Sequence, residues 1–406
     1  MSAVISLTAV RKASAPKMRI GLLRLTDSAP VIAAYEFGFF ADEGVDAELI
    51  VEPSWANIAD KLAYGFFDAA VIIPPLAFNI HLGVRGAFQP LIIPCGISSG
   101  GNSVTVVRSL GHDLQTCASA EDVSLAEALG PMLRGRNLTF GVVHAYSNHS
   151  LLLRYWLATV GIEAGRDVAL TVVPPARAVE ALVSGQIAGF CAGAPWGEVA
   201  RRAGVGLPIA SSNDIWRNAP EKALAVRARW AEEKPETLAG VVRAIVRAAK
   251  FCDEPENAAY VAALLSRRKY VDIEPHAILA DLPGGSNSEN GCGFYGGATL
   301  FPWRSQGLWF LNEMRRWGLI DSSVDLHRLA LRVYRPDLYR SAVASLGEPV
   351  PVTDSKIEGA HKAAWTVEAS PFLIAMRADN FCDSVVFDPD QVAPPSATTR
   401  SAAHNF

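Results

Sequence analysis

The sequence predicts an α/β fold of two lobes, each a mostly parallel sheet flanked by helices, with a ligand cleft between them. Three observations predict it. Apolar stretches of strand length alternate with stretches of helical spacing from Met18 onward. The order strand, helix, strand, helix, strand then recurs from about residue 137. Finally, 406 residues, 50% of them hydrophobic, are enough for more than one compact lobe.

The first set opens with the strand "MRIGLLRL". In "APVIAAYEFGFFADEG", Val31, Ala34, Tyr35, Gly38 and Phe39 recur at helical spacing before Gly44 ends the pattern. "DAELIVEP" alternates as a strand does, and "WANIADKLAYG" reads as a helix. "FDAAVIIPP" is a buried strand stopped by two prolines, and "AFQPLIIPCGI" is a strand leading into the glycine- and serine-rich turn "SSGGNSVTVV". In the second set, the strand "NLTFGVVHA" precedes the amphipathic helix "SNHSLLLRYWLATVGI", capped by Ser147 or Asn148. "DVALTVVPP", "ARAVEALVSGQ" and "IAGFCAGAPW" follow as strand, helix and strand.

In "SNDIWRNAPEKALAV", residues 212–226, a loop is expected to run into a helix, with Pro220 at the first helical position and Glu221 behind it. Lys222 then faces the positive end of the helix dipole, a misfit that a bound anion would explain. Beyond residue 226 the chain turns helical, interrupted by a glycine-rich loop at 283–297 that reads as a lid, a partner surface or a plain surface loop. The expected division is a tail at 1–17, a first lobe at 18–107, a second lobe at 108–223, a mainly helical return to the first lobe at 224–382, and a polar C-terminal tail at 383–406 expected to be disordered.

The formal charge of -4, with no lysine- or arginine-rich run, argues against direct nucleic-acid binding. No apolar stretch approaches the roughly 20 residues of a membrane span. Cys95, Cys117, Cys191, Cys252, Cys292 and Cys382 are scattered, so neither a zinc site nor a disulfide framework is expected. No cofactor is expected and no catalytic signature stands out: there is no P-loop or HExxH, and "GISSGGN" lacks the GxGxxG pattern of a dinucleotide fingerprint. Ala13-Ser14-Ala15 looks like a cleavage site, but Arg11 and Lys12 stand between it and the apolar residues, the reverse of a secretory signal. The expectation is a cytoplasmic protein.

What stands out is a set of residues at strand ends and in the first turns of following helices. Trp55 follows "AELIVEP"; it fits a core anchor or a flat wall of the cleft. Gly100, Gly101 and Asn102 fit an ordinary turn, or bare N–H groups and an amide aimed at an anion. His149 opens a helix whose N-terminus would favour an anion, and equally fits a surface histidine. Each residue alone has an ordinary reading. Together with Lys222 they point to an anion site.

"LTDSAPVIAAYEFGFFADEGVDAEL", "PSWANIADKLAYGFFDAAVIIPP", "HSLLLRYWLATVGI" and "IWRNAPEKALAV" resemble the nitrate- and bicarbonate-binding branch of periplasmic-type solute-binding proteins, over residues of about 18–320. The resemblance implies a type II two-lobed fold of the periplasmic-binding-protein kind. It also implies nitrate or nitrite held by Trp55, Asn102, His149 and Lys222, with Asn102 where the family has glutamine. The retained lysine argues against the bicarbonate members, which use a metal.

Nitrate is planar and a poor base, so its site should offer donors and a flat wall but no acceptor. Combined with the expected cytoplasmic location, the resemblance is to nitrate/nitrite sensors of the NasS type. Such sensors hold an ANTAR-type RNA-binding antiterminator (NasT type) and release it on anion binding. Two alternatives are the substrate-binding component of a nitrate ABC transporter and an enzyme like the thiamin-pyrimidine synthases. The scattered cysteines argue against the enzyme.

Overall fold

The computed structural model describes residues 17–84 and 86–395. The N-terminal tail, with its false cleavage site, lies outside the described residues except for Lys17, as do residues 396–406. The two main sheets are built from β1 (Met18–Leu23), β2 (Ala47–Glu52), β3 (Ala69–Ile72), β4 (Leu91–Gly100), β5 (Asn102–Val107), β6 (Thr139–Val142), β7 (Ala169–Val172), β8 (Gly189–Gly193), β9 (Gly206–Ser211), β10 (Pro220–Arg227) and β11 (Cys292–Gly293). One sheet has the order β11-β4-β10-β3-β1-β2 and the other β7-β6-β8-β5-β9. Each is the centre of one lobe.

Both sheets are mixed rather than mostly parallel. β1 pairs in parallel with β2 and β3, and β6 with β7 and β8. β10 runs antiparallel to β3 and β4, and β5 antiparallel to β8 and β9. The reason is the path of the chain. β5 and β10 begin where the chain has just crossed from the other lobe, so they run away from the junction while their neighbours run toward it. The crossings lie at Gly100–Gly101–Asn102 and between Ser211 and Pro220. The lobe boundaries therefore fall several residues before the expected 107/108 and 223/224, and Lys222 belongs to the first lobe.

The stretch expected as a helix behind Pro220 is the strand β10. Glu, Lys, Ala and Leu are good helix formers, which is why the local sequence misleads. Tertiary placement overrides that preference: β10 lies between β3 and β4, and Ala223, Leu224, Ala225 and Val226 are all buried. Pro220 sits at the first strand position, where its missing N–H is tolerated. The two prolines after β3 do not merely stop that strand; they open the helix Pro74–Leu82.

The first core packs Ile20, Leu22, Val71 and Leu224 in one cluster with Val241 and Ile245 of the long helix Pro235–Asp253. That helix starts at a proline and runs 19 residues with an apolar face, as its spacing predicts. In the second lobe, Val104, Phe140, Val142 and Phe190 share a cluster with Leu151 and Leu157. The expected C-terminal tail is folded as far as residue 395 among the described residues. Phe387 bridges to Glu358, and the Tyr155 hydroxyl donates to Asp383 at 2.9 Å. Phe381 packs against both Trp216, at 4.9 Å, and Trp309, at 5.7 Å, whose rings lie 4.6 Å from each other.

Candidate functional site

The site lies where the strand ends of both lobes meet. Trp55 is the first residue of the helix Trp55–Ala63, which Ser54 caps by accepting from the Asn57 N–H at 3.2 Å. In the second lobe, Ser147 caps the helix Asn148–Thr159 by accepting from the Ser150 N–H at 3.0 Å. Because Ser147 takes the cap, Asn148 is free to turn inward, with His149 beside it at the helix start. Lys222 lies on β10 at an irregularity in its pairing with β4. Adjacent strand residues normally face opposite ways, and such a bulge re-aims them, so Glu221 and Lys222 join one cluster.

All the central side chains are enclosed: Trp55 is 1% exposed, Asn102 2%, His149 0%, Glu221 1% and Lys222 2%. The Lys222 ammonium pairs with Glu221 and lies 2.8 Å from Asp27 Oδ2. It also lies 5.5 Å from the centre of the Trp55 ring, within cation–π range. The Asn102 side-chain amide donates to Glu221 Oε2 at 2.5 Å. The Asn148 amide donates to the same oxygen and, at 3.0 Å, to the Glu221 backbone carbonyl. His149 Nε2 stands 3.3 Å from Glu221 Oε1, outside hydrogen-bond alignment.

Burial and charge set the protonation states. Burial alone would strip the Lys222 proton, but Asp27 and Glu221 outweigh it and hold the ammonium above its usual range. Burial pushes Glu221 up to about 7, against the pull of Lys222 and with a further push from Asp27. Burial also raises Asp27, although Lys222 pulls the other way. His149 is held well below its ordinary value, first by burial and then by Lys222, so its ring is neutral.

A further property marks this place. The Trp55 indole N–H, both His149 ring nitrogens, Asn102 Oδ1 and Asn148 Oδ1 are buried with no hydrogen-bond partner. So are the Thr26 and Ser28 hydroxyls, which flank Asp27. Buried polar groups are nearly always paired, and each one left unpaired costs about 1–3 kcal/mol. Such a concentration of unpaired donors and acceptors fits a small polar ligand.

The structure brings four of the sequence-predicted residues together: Trp55, Asn102, His149 and Lys222. Gly100 and Gly101 form the lobe crossing instead of a tight turn, with left-handed φ of 69° and 76°. A side chain at Gly101 would meet Cys292 Sγ at 2.5 Å. The dipole argument for Lys222 does not hold, since Lys222 is on a strand and two carboxylates neutralise it. The expected donor-only lining does not hold either. Asp27, Asn148 and Glu221 were missed. A signal for Asp27 was present, since Thr26-Asp27-Ser28 is a run of three polar residues between an apolar strand and a helix.

A cavity of about 400 Å³ opens beside the cluster, lined by Gly101, Asn102, Ala194, Glu198, Arg201 and Asn287 among others. Trp55, His149 and Lys222 do not line it. The cavity thus reaches the cluster only at its Asn102 edge. The glycine-rich loop closes this side: Ser211 Oγ donates to Asn290 Oδ1 at 3.0 Å, and the Asn213 amide donates to the Glu289 carbonyl at 2.7 Å.

The NMT1-like family matches residues 11–266. Two transport proteins of Synechocystis resemble the chain: a nitrate import ATP-binding protein NrtC, 33% identical over 81% of this chain and 50% of its own, and a bicarbonate transport ATP-binding protein CmpC, 32% identical over 84% and 53%. The chain thus spans about half the length of these two relatives. The nitrate/nitrite binding protein NrtA of Synechococcus elongatus is 30% identical over 91% of this chain and 83% of its own. The crystal structure of the periplasmic nitrate-binding protein NrtA from Synechocystis superposes with a TM-score of 0.79 at 27% identity, covering 92% of this chain and 96% of that one.

Proposed function

Because this chain belongs to the NMT1-like family, we propose that it is a solute-binding protein whose ligand is nitrate or nitrite, held in the buried cluster around Lys222. The observation that carries the reading is the concentration of unpaired buried polar atoms beside the one ammonium group of the cluster. Lys222 supplies charge, the His149 N–H and the helix start at Asn148 supply donors, and the Trp55 ring supplies a flat wall. Likeness to two NrtA proteins supports nitrate over bicarbonate, although a bicarbonate transport protein is among the relatives. The role is binding, not catalysis.

Delivery of the anion to a membrane transporter is the better supported role, because the named relatives are transport or solute-binding proteins. The finer reading, a cytoplasmic sensor that sequesters an ANTAR-type antiterminator, is supported by the sequence resemblance alone. Titration calorimetry with nitrate, nitrite, bicarbonate and sulfate tests the ligand. Nitrate or nitrite should bind, and preference for bicarbonate or sulfate would overturn the reading. Co-purification with the antiterminator, with and without nitrate, tests the role. A complex that nitrate dissolves would favour the sensor.

A further inference from the structure

The cluster that encloses Lys222 holds one cation and two carboxylates, Asp27 and Glu221, around a neutral His149. With both carboxylates ionised its formal charge is already -1, and a monovalent anion would bring it to -2 behind walls that exclude water. Burying unbalanced charge is strongly unfavourable. We infer that the anion enters together with one proton, which is taken up by the Asp27–Glu221 pair bracketing Lys222. The inference rests on the nitrate reading and deepens it, making the proton a second ligand of the same site.

The groups that face the pair leave few other places for that proton. On β10 the neighbour is Lys222 itself, already protonated. From β5 comes Asn102, and from the helix Asn148–Thr159 come Asn148 and His149. The remaining titratable neighbours are the thiols of Cys191 on β8 and Cys292 on β11, which burial keeps in their neutral form. The carboxylates act as a coupled pair, so the proton belongs to both rather than to one residue. Glu221, which burial lifts to about 7, makes uptake accessible near neutrality.

The test uses the full chain and nitrate. Calorimetric titrations at about pH 8 in HEPES and in Tris, which differ in ionisation enthalpy, should give heats that differ by about one proton taken up per nitrate, and by about half that at about pH 7. The Kd should rise toward about tenfold per pH unit above pH 7. Glu221→Gln and Asp27→Asn should each flatten that slope, and His149→Gln should weaken binding yet keep it. Equal heats in both buffers with a pH-independent Kd would overturn the inference and leave the nitrate reading standing. A slope lost only in His149→Gln would overturn the assignment to the carboxylates. No nitrate binding at any pH would remove the nitrate reading and this inference with it.

Discussion

Lys222 Nζ lies 2.8 Å from Asp27 Oδ2, with 0% and 2% of the two side chains exposed. The contact joins β10 to the turn after β1 and gives a buried ammonium a buried counterion, with Glu221 as the second. Removing one partner of such a pair costs about 3–5 kcal/mol, because the other is left charged and unpaired.

Lys222→Ala should therefore abolish nitrate binding and also destabilise the fold by about that amount. Urea unfolding with calorimetry separates the two effects. The double variant Lys222→Met with Asp27→Asn should recover most of the stability without recovering binding. Full nitrate affinity in either variant would place the site elsewhere.

Glu221 holds its proton more tightly folded than unfolded, at about 7 against 4.5. The native state binds more protons in that window, so this group's stabilising effect is complete below pH 4.5 and fades as pH rises through about 7. The slope is at most about 1.4 kcal/mol per pH unit. His149 acts oppositely, penalising the native state as pH falls below about 6.5. The stability difference between the native chain and Glu221→Gln should thus shrink steadily from pH 5 to 7. A constant difference would contradict the raised carboxyl.

His149 should stay neutral through the range around pH 6.5 in which a free imidazole titrates. Long-range nitrogen–proton NMR, assigned by comparison with His149→Gln, should show one imidazole that does not titrate. An inflection near 6.5 at that residue would mean that the site is open to water.

Gly101→Ala should cost about 1–3 kcal/mol and weaken nitrate binding, because the crossing needs a left-handed φ of 76° there. The added carbon would also meet Cys292 Sγ at 2.5 Å. Adding Cys292→Ala should relieve the steric part and leave the backbone part. Unchanged stability and affinity in Gly101→Ala would show that the crossing tolerates other conformations.

The two lobes were legible in the sequence because repeated strand–helix alternation is a local signal, and each apolar period reports which face is buried. Trp55, Asn102, His149 and Lys222 were also reachable, since polar or aromatic residues at strand ends stand out against apolar strands. β10 was not legible: its helix-forming residues became a strand only because β3 and β4 lie on either side, a relation no local window contains. The mixed strand direction was hidden for the same reason. Glu221 was hidden as a functional residue because an acidic side chain is read as solvated until its burial is seen, whereas Asp27 had one cue in the polar run Thr26-Asp27-Ser28.

The central claim is most directly tested by a crystal structure of the chain grown with nitrate. The account predicts a planar anion against the Trp55 ring, within hydrogen-bond reach of Lys222, His149 and the amides of Asn102 or Asn148. Nitrate bound only in the neighbouring cavity lined by Glu198 and Arg201, or no nitrate in a crystal that holds the closed cluster, would contradict it.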